Sequence, residues 1–292
     1  MRVLLTGARG MLGRTLVREL SGRFEVIPTD LPELDITSEA SVRAGFEKHN
    51  PDAVIHCAAM TAVDRCESER DKAFLLNETG SANIAKACRH SGARLIAIST
   101  DYVFDGNSDT AYSESDMPTG GCNVYGESKF AGEQAVRSFC ENHIIARISW
   151  LYGAGGPSFV HTMLSLADGT RPVLKVVADQ HGNPTSANAV AHALEGILLR
   201  PELRGTFHLT CEGETTWAEF AQEIFRLAGV SQKVAPCASG EYPRPAMRPR
   251  NSRLKKDALR LNGLPPMPDW KVALSSFMAD EFADGIGDGD RE

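Results

Sequence analysis

The stretch RVLLTGARGMLGRTLVREL (2–20) decides the fold: an apolar run, RVLLTG (2–7), passes straight into glycines at 7, 10 and 13, where a helical pattern begins. Gly7 permits the tight turn, Gly10 lets backbone N–H groups approach a pyrophosphate, and Gly13 lets the helix pack closely on the sheet. The helix N-terminus adds partial positive charge at the same place. A glycine triplet by itself is weak; set between a strand and a helix it reads as a dinucleotide loop.

Outward from that stretch, EVIPTD (25–30), DAVIHCAA (52–59), RLIAIST (94–100) and HIIARISW (143–150) are short and apolar on both parities. Such runs are strands covered on both faces of a parallel sheet. Helical patterns near 11–20, 39–49, 71–91 and 125–141 alternate with them. The expectation is an α/β fold, a Rossmann-type doubly wound parallel sheet with helices on both faces. After Trp150 the pattern loosens, with a strand-like KVVAD (175–179), a helix near 187–199, a strand GTFHLT (205–210) and a helix over 217–228. Residues 1–150 are therefore expected to form the dinucleotide-binding domain, segments near 186–210 to return to it, and 151–292 to make mainly a smaller substrate lobe. PRPAMRP (243–249) should be a loop, since proline suits neither helix interior nor central strand. DGIGDGDRE (284–292) reads as a frayed tail.

The 292 residues carry 31 Lys and Arg against 38 Asp and Glu, a net charge of −7, with 42% hydrophobic residues. This is ordinary globular composition, and a sequence pI near 5.7 argues against a nucleic-acid partner. No run approaches the roughly 18 apolar residues of a membrane span, and the first residues lack a secretory pattern, so a cytoplasmic protein without a membrane partner is expected. The seven cysteines, at 57, 66, 88, 122, 140, 211 and 237, never form a CxxC pair and read as reduced thiols. His161, His181 and His192 have no ligand spacing, and no metal site is expected.

Asp30, closing the second strand, stands where an acidic residue hydrogen-bonds an adenosine ribose, which favours NADH. Arg9, beside Gly10, points the other way, because a guanidinium can pair with the 2′-phosphate of NADPH. Dual use of NADPH and NADH is the expectation. A solvated charge for Arg9 and a turn cap for Asp30 remain open, and Asp35 and Ile36 either flank an adenine or, for Asp35, cap the helix near Glu39. Tyr125 and Lys129 lie on one helical face at i,i+4. A cation about 4 Å from a phenolate at an effective dielectric near 20 gives about 4 kcal/mol as an upper estimate, so an acidified proton donor is expected. Thr100 ends the fourth strand at the sheet's carboxyl edge, where open α/β proteins place ligands.

Gly7, Gly10, Gly13, Thr100, Tyr125 and Lys129, taken in that order along the chain, resemble the extended short-chain dehydrogenase/reductases. AAMTAVDRCES (58–68), STDYVFDG (99–106), NVYGESKFAGE (123–133), RISWLYG (147–153), DQHGNPT (179–185) and RPRNSRL (248–254) narrow the resemblance to their dTDP-sugar ketoreductases. It implies reduction of the C4 ketone of dTDP-4-dehydro-β-L-rhamnose by a monomer or homodimer. Thr100 would hold the carbonyl, Tyr125 would protonate it, and Lys129 would tune Tyr125 and grip the nicotinamide ribose. Gly10, Met11 and Leu12 would lie under the pyrophosphate, with Ala58 and Ala59 bordering the cofactor. Thr61, Val63, Asp101 and Trp150 would face substrate, the indole as a flat wall, and Asn77 would support the lysine through water.

The chain also departs from the family. Met60 replaces a polar residue and takes no chemical role, and Thr15 stands near the place of a glutamate that holds magnesium in some dimers, so a structural metal is not expected. Asp101-Tyr102 replaces the Asp-Glu pair of the sugar-nucleotide dehydratases. Reduction of a different dTDP-4-keto-6-deoxy sugar stays open, as does a non-catalytic NADP-binding subunit like the regulatory subunit of methionine adenosyltransferase. Arg248, Arg250 and Arg253 read either as contacts to a nucleotide diphosphate or as a solvated basic loop, and Thr216-Trp-Ala-Glu219 as a helix capping box.

Overall fold

The computed structural model describes residues 1–282, so the expected tail at 284–292 lies outside the described residues. Strands β1 (Arg2–Thr6), β2 (Glu25–Thr29), β3 (Ala53–His56), β4 (Arg94–Thr100) and β5 (His143–Ile148) form one sheet with a later strand, β7 (Gly205–His208). The order is β7-β5-β4-β3-β1-β2 and every pairing is parallel. Pro28 is tolerated in β2 because that strand is at the edge.

Alternation along the strands divides the core in two. Val3, Leu5, Ile55 and Ile96 face α1 (Met11–Leu20) and α8 (Ala187–Leu198), whereas Leu4, Val54, Leu95 and Ala97 face α2 (Glu39–His49) and α5 (Gly80–Ser91). Each fully buried aliphatic side chain contributes about 1.5–3 kcal/mol, which holds helices to both faces. The first cluster continues without a break into the later half through Tyr152, Phe220 of α9 (Trp217–Ala228) and Phe277 of α11 (Trp270–Glu281). In that half β6 (Val173–Val177) pairs in parallel with β8 (Lys233–Cys237), and no described helix is long and apolar enough to cross a membrane. Residues 243–249 contain neither helix nor strand.

The helix expected over 71–91 carries an irregularity that its periodicity does not show. α4 (Arg70–Phe74) passes into α5 through a π-helical turn, Leu75–Thr79, which places Asn77 inward. Such turns often mark functional sites. α3 (Val63–Ser68), α7 (Phe159–Leu166), α10 (Asp257–Leu261), α11 and β8 were not evident in the sequence.

Candidate active site

The strand order reverses between β1 and β3, and a cleft of about 690 Å³ opens at their carboxyl ends. Gly7, Gly10, Met11, Leu12 and Gly13 line one end of it, with Asp30, Asp35 and Ile36 beyond β2 and Ala58 and Ala59 beyond β3. Thr61, Val63, Thr100, Asp101, Tyr125, Lys129 and Trp150 line the remainder. A second hollow, of about 860 Å³, lies between α10 and the 212–214 loop, but Arg253, Lys256 and Arg260 there are matched by Glu214, Glu212 and Asp257. It contains neither Tyr125 nor Lys129.

At the glycine loop, Gly7 has φ +69°, and a Cβ there would sit 2.6 Å from the Ala58 nitrogen, so the β1 and β3 ends meet only with glycine in place. Gly10 is the N-cap of α1 and offers no side chain to its free N–H groups, which leaves them directed at the cleft for an anion. Asp30 is fixed by the N–H groups of Arg9 (3.0 Å) and Leu31 (2.9 Å) and still lines the cleft. These features fit a dinucleotide.

Arg9 is not among the cleft-lining residues; its guanidinium is solvated and 3.3 Å from Glu33. Asp35 does not cap α2: Ser38 does, accepting from Ser41, while Asp35 closes a turn by accepting from the Thr37 N–H and hydroxyl. Thr15 is buried in α1 and donates to the Met11 carbonyl.

The floor of the cleft is α6 (Val124–Phe139) against β4. Lys129 is buried and its Nζ donates to the Ile98 carbonyl at 2.7 Å. Burial lowers it to about 8, opposed by the charge of Glu133 one turn on. The expected acidified phenol is not what the structure shows. Burial raises Tyr125 above the ordinary phenol value, with the Thr100 hydroxyl opposing, because the ammonium is directed at a strand carbonyl and not at the ring. Tyr102 packs edge-on against Tyr125 with centroids 5.5 Å apart. Thr100 Oγ1 accepts the Tyr102 N–H at 3.2 Å and donates to Asp101 Oδ1 at 2.9 Å.

Beneath them, Glu133 accepts from Ser99 at 2.6 Å, from Arg147 twice at 2.8 Å and from Arg137 at 3.0 Å. Burial alone would raise this carboxyl, but Arg147, Ser99 and Arg137 outweigh it and hold it low. Asn77 bonds Met60 through N–H and carbonyl (2.8 and 3.1 Å) and Ser128 at 2.9 Å, tying the β3 loop to α6 beside Lys129. His56, between Thr6 and Ser81, is driven down to about 3 by burial and then by Lys129, and so is neutral.

The expected flat wall is half covered. Trp217 stacks on Trp150 with centroids 3.5 Å apart and an interplanar angle of 8°. Trp150 holds φ +44°, a conformation that costs a bulky residue about 1–3 kcal/mol. Gly182 makes room for it, since a Cβ there would lie 2.3 Å from the indole. Gln180 accepts from Trp217 Nε1 at 3.1 Å and donates to Ser239 at 2.8 Å. Gln180 and Gly182 of DQHGNPT thus support the indole pair, and Thr216 and Glu219 form the expected capping box as well. Trp217 therefore both begins a helix and lines the cleft, a second role that its sequence position does not reveal. Of the three arginines, Arg248 pairs with Asp64 at 2.9 Å, Arg253 lines the other hollow and Arg250 is exposed; none is among the residues lining this cleft.

The family model described as RmlD substrate binding domain matches residues 1–282. The chain is 40% identical over 296 residues to the dTDP-4-dehydrorhamnose reductase of Shigella flexneri, covering 97% of this chain and 98% of that one. It is 41% identical to the dTDP-4-keto-6-deoxy-D-glucose reductase of Streptomyces niveus, covering 94% and 95%. The crystal structure of dTDP-4-dehydrorhamnose reductase from Bacillus anthracis in complex with NADP superimposes with a TM-score of 0.92 at 40% identity, covering 96% of this chain and 99% of that chain.

Proposed function

The chain belongs to the RmlD substrate binding domain family, and from that premise we propose that its cleft reduces the C4 ketone of dTDP-4-dehydro-β-L-rhamnose to give dTDP-L-rhamnose. The observation that carries the reading is Thr100, Tyr125 and Lys129 lining one cleft with the glycine loop. Gly7, Gly10, Met11, Leu12, Gly13, Asp30, Asp35, Ile36, Ala58 and Ala59 would hold a reduced nicotinamide dinucleotide, with Lys129 at its ribose. When bound, that group supplies the hydride.

Tyr125 gives its proton to the ketone oxygen as negative charge develops there, and Thr100 orients the carbonyl. The raised phenol keeps that proton at neutral pH until an oxyanion more basic than itself appears. Lys129, held by the Ile98 carbonyl, would serve the nicotinamide ribose and does not acidify the phenol. Thr61, Val63 and the Trp150–Trp217 pair face the sugar nucleotide, and Asp101, buried at the edge of the cleft, bonds Thr100.

Both NADPH and NADH should serve. Asp30 suits a free ribose hydroxyl, and Arg9, held only by an exposed pair with Glu33, can swing to a 2′-phosphate. The described cysteines are all free, which suits the cytoplasm. A related 4-keto-6-deoxy hexose is the second reading, favoured by the equally similar Streptomyces niveus enzyme. Steady-state assays of both 4-keto sugar nucleotides with each dinucleotide test the proposal. Stoichiometric oxidation with the rhamnose precursor is expected; a protein that binds NADPH but oxidises none would be a binding subunit instead.

A further inference from the structure

A threonine hydroxyl has one proton, and although Tyr125 is within its reach, the bond of good geometry is the one Thr100 Oγ1 donates to Asp101 Oδ1 at 2.9 Å. While that carboxyl is ionised it can only accept, so Thr100 has nothing to donate to a ketone oxygen. A protonated Asp101 reverses the bond. Its O–H donates to Thr100 Oγ1, and the threonine proton turns to the cleft.

The other carboxyl oxygen argues for the same state. Asp101 is 3% exposed, and its Oδ2 is buried with no hydrogen-bond partner among the described residues. Ser252 approaches the carboxyl and favours its ionised form, but closes no hydrogen bond of good geometry to Oδ2. An ionised oxygen left this way is costly, and an acid much less so.

We infer that Asp101 is a positioning residue that must carry a proton for Thr100 to hydrogen-bond the substrate carbonyl. This rests on the ketoreductase reading. Asp101 keeps its proton through the cycle; the proton added to the sugar oxygen is that of Tyr125, replaced from solvent. Facing the carboxyl are Tyr125 from α6, Tyr102 beside it, Cys122 ahead of α6 and Ser252 from the 248–254 segment. The cation beyond Tyr102, Arg248, is matched by Asp64 at 2.9 Å. Burial dominates and pushes Asp101 up to about 6, with Ser252, Thr100 and the backbone N–H groups of Asp101 and Tyr102 opposing.

The test is the pH profile of kcat/KM between about pH 5.5 and 8 for the protein and for Asp101→Asn, whose amide donates to Thr100 at every pH. The unmodified enzyme should lose about tenfold per pH unit above the titration of Asp101, while Asp101→Asn stays level within about threefold. Carboxyl ¹³C NMR of aspartate-labelled protein, with the variant only assigning the signal, reads the titration without turnover. Identical profiles for both proteins, or an Asp101 already ionised at pH 5, would overturn the inference. No turnover at any pH, with Asp101 still titrating near 6, would instead sink the ketoreductase reading.

Discussion

The floor and the mouth of the cleft are built on opposite terms. On the floor, Ser99 and both Arg147 and Arg137 converge on Glu133, a carboxylate with each oxygen bonded. At the mouth, the next residue of β4, Thr100, meets Asp101, a carboxyl with one oxygen unpartnered among the described residues, and Trp150 sits in a strained backbone conformation. Neighbouring strand residues thus serve a fixed foundation and a site whose groups await substrate. Charge that is fully matched holds the fold, whereas charge that is half matched can respond to what enters.

The largest effect is expected at the seam between the two. Tyr125→Phe should lower turnover by about 10²–10⁴ while nucleotide affinity, read by fluorescence titration, changes less than about twofold. Next, Glu133→Gln strands Arg147, which is 1% exposed, and should cost about 3–5 kcal/mol in urea unfolding. A floor variant that remained as stable as the parent would break the contrast.

The two carboxyls should also respond oppositely to pH. Glu133 is held low, so its contribution is present above the ordinary glutamate value of 4.5 and lost as pH falls through its depressed folded value. Asp101 is raised from 3.8 to about 6, so its contribution is present below the lower value and lost as pH rises through the upper. Asp101→Asn should therefore gain up to about 2–3 kcal/mol relative to the parent at pH 7.5, and little at pH 4, by denaturant melts at both. The smallest effect is steric. Gly182→Ala drives a methyl group toward the Trp150 indole and should cost about 1–3 kcal/mol, read chiefly as a higher KM for the sugar nucleotide.

The contrast also explains what the sequence revealed. The glycine loop, Tyr125 with Lys129, and the strand rhythm are local patterns, and they lie where their spacing places them. The bonds that set their chemistry are not local. Lys129 turns to the Ile98 carbonyl, Glu133 meets Arg147 from another strand, and Trp217 reaches Trp150 across 67 positions of chain. An i,i+4 spacing brings a lysine and a tyrosine onto one face without saying where the ammonium points, which is why the phenol is raised by burial where acidification was expected. The π-turn at Asn77 likewise follows from tertiary bonds to Met60 and Ser128 that periodicity does not encode.

The most direct measurement follows the hydride itself, using dTDP-4-dehydrorhamnose and NADPH deuterated at the transferable C4 position. Deuterium bonded to C4 of the product hexose, one per dinucleotide oxidised, is the predicted outcome. Product without deuterium at that carbon, or bound NADPH that is never oxidised, would contradict it.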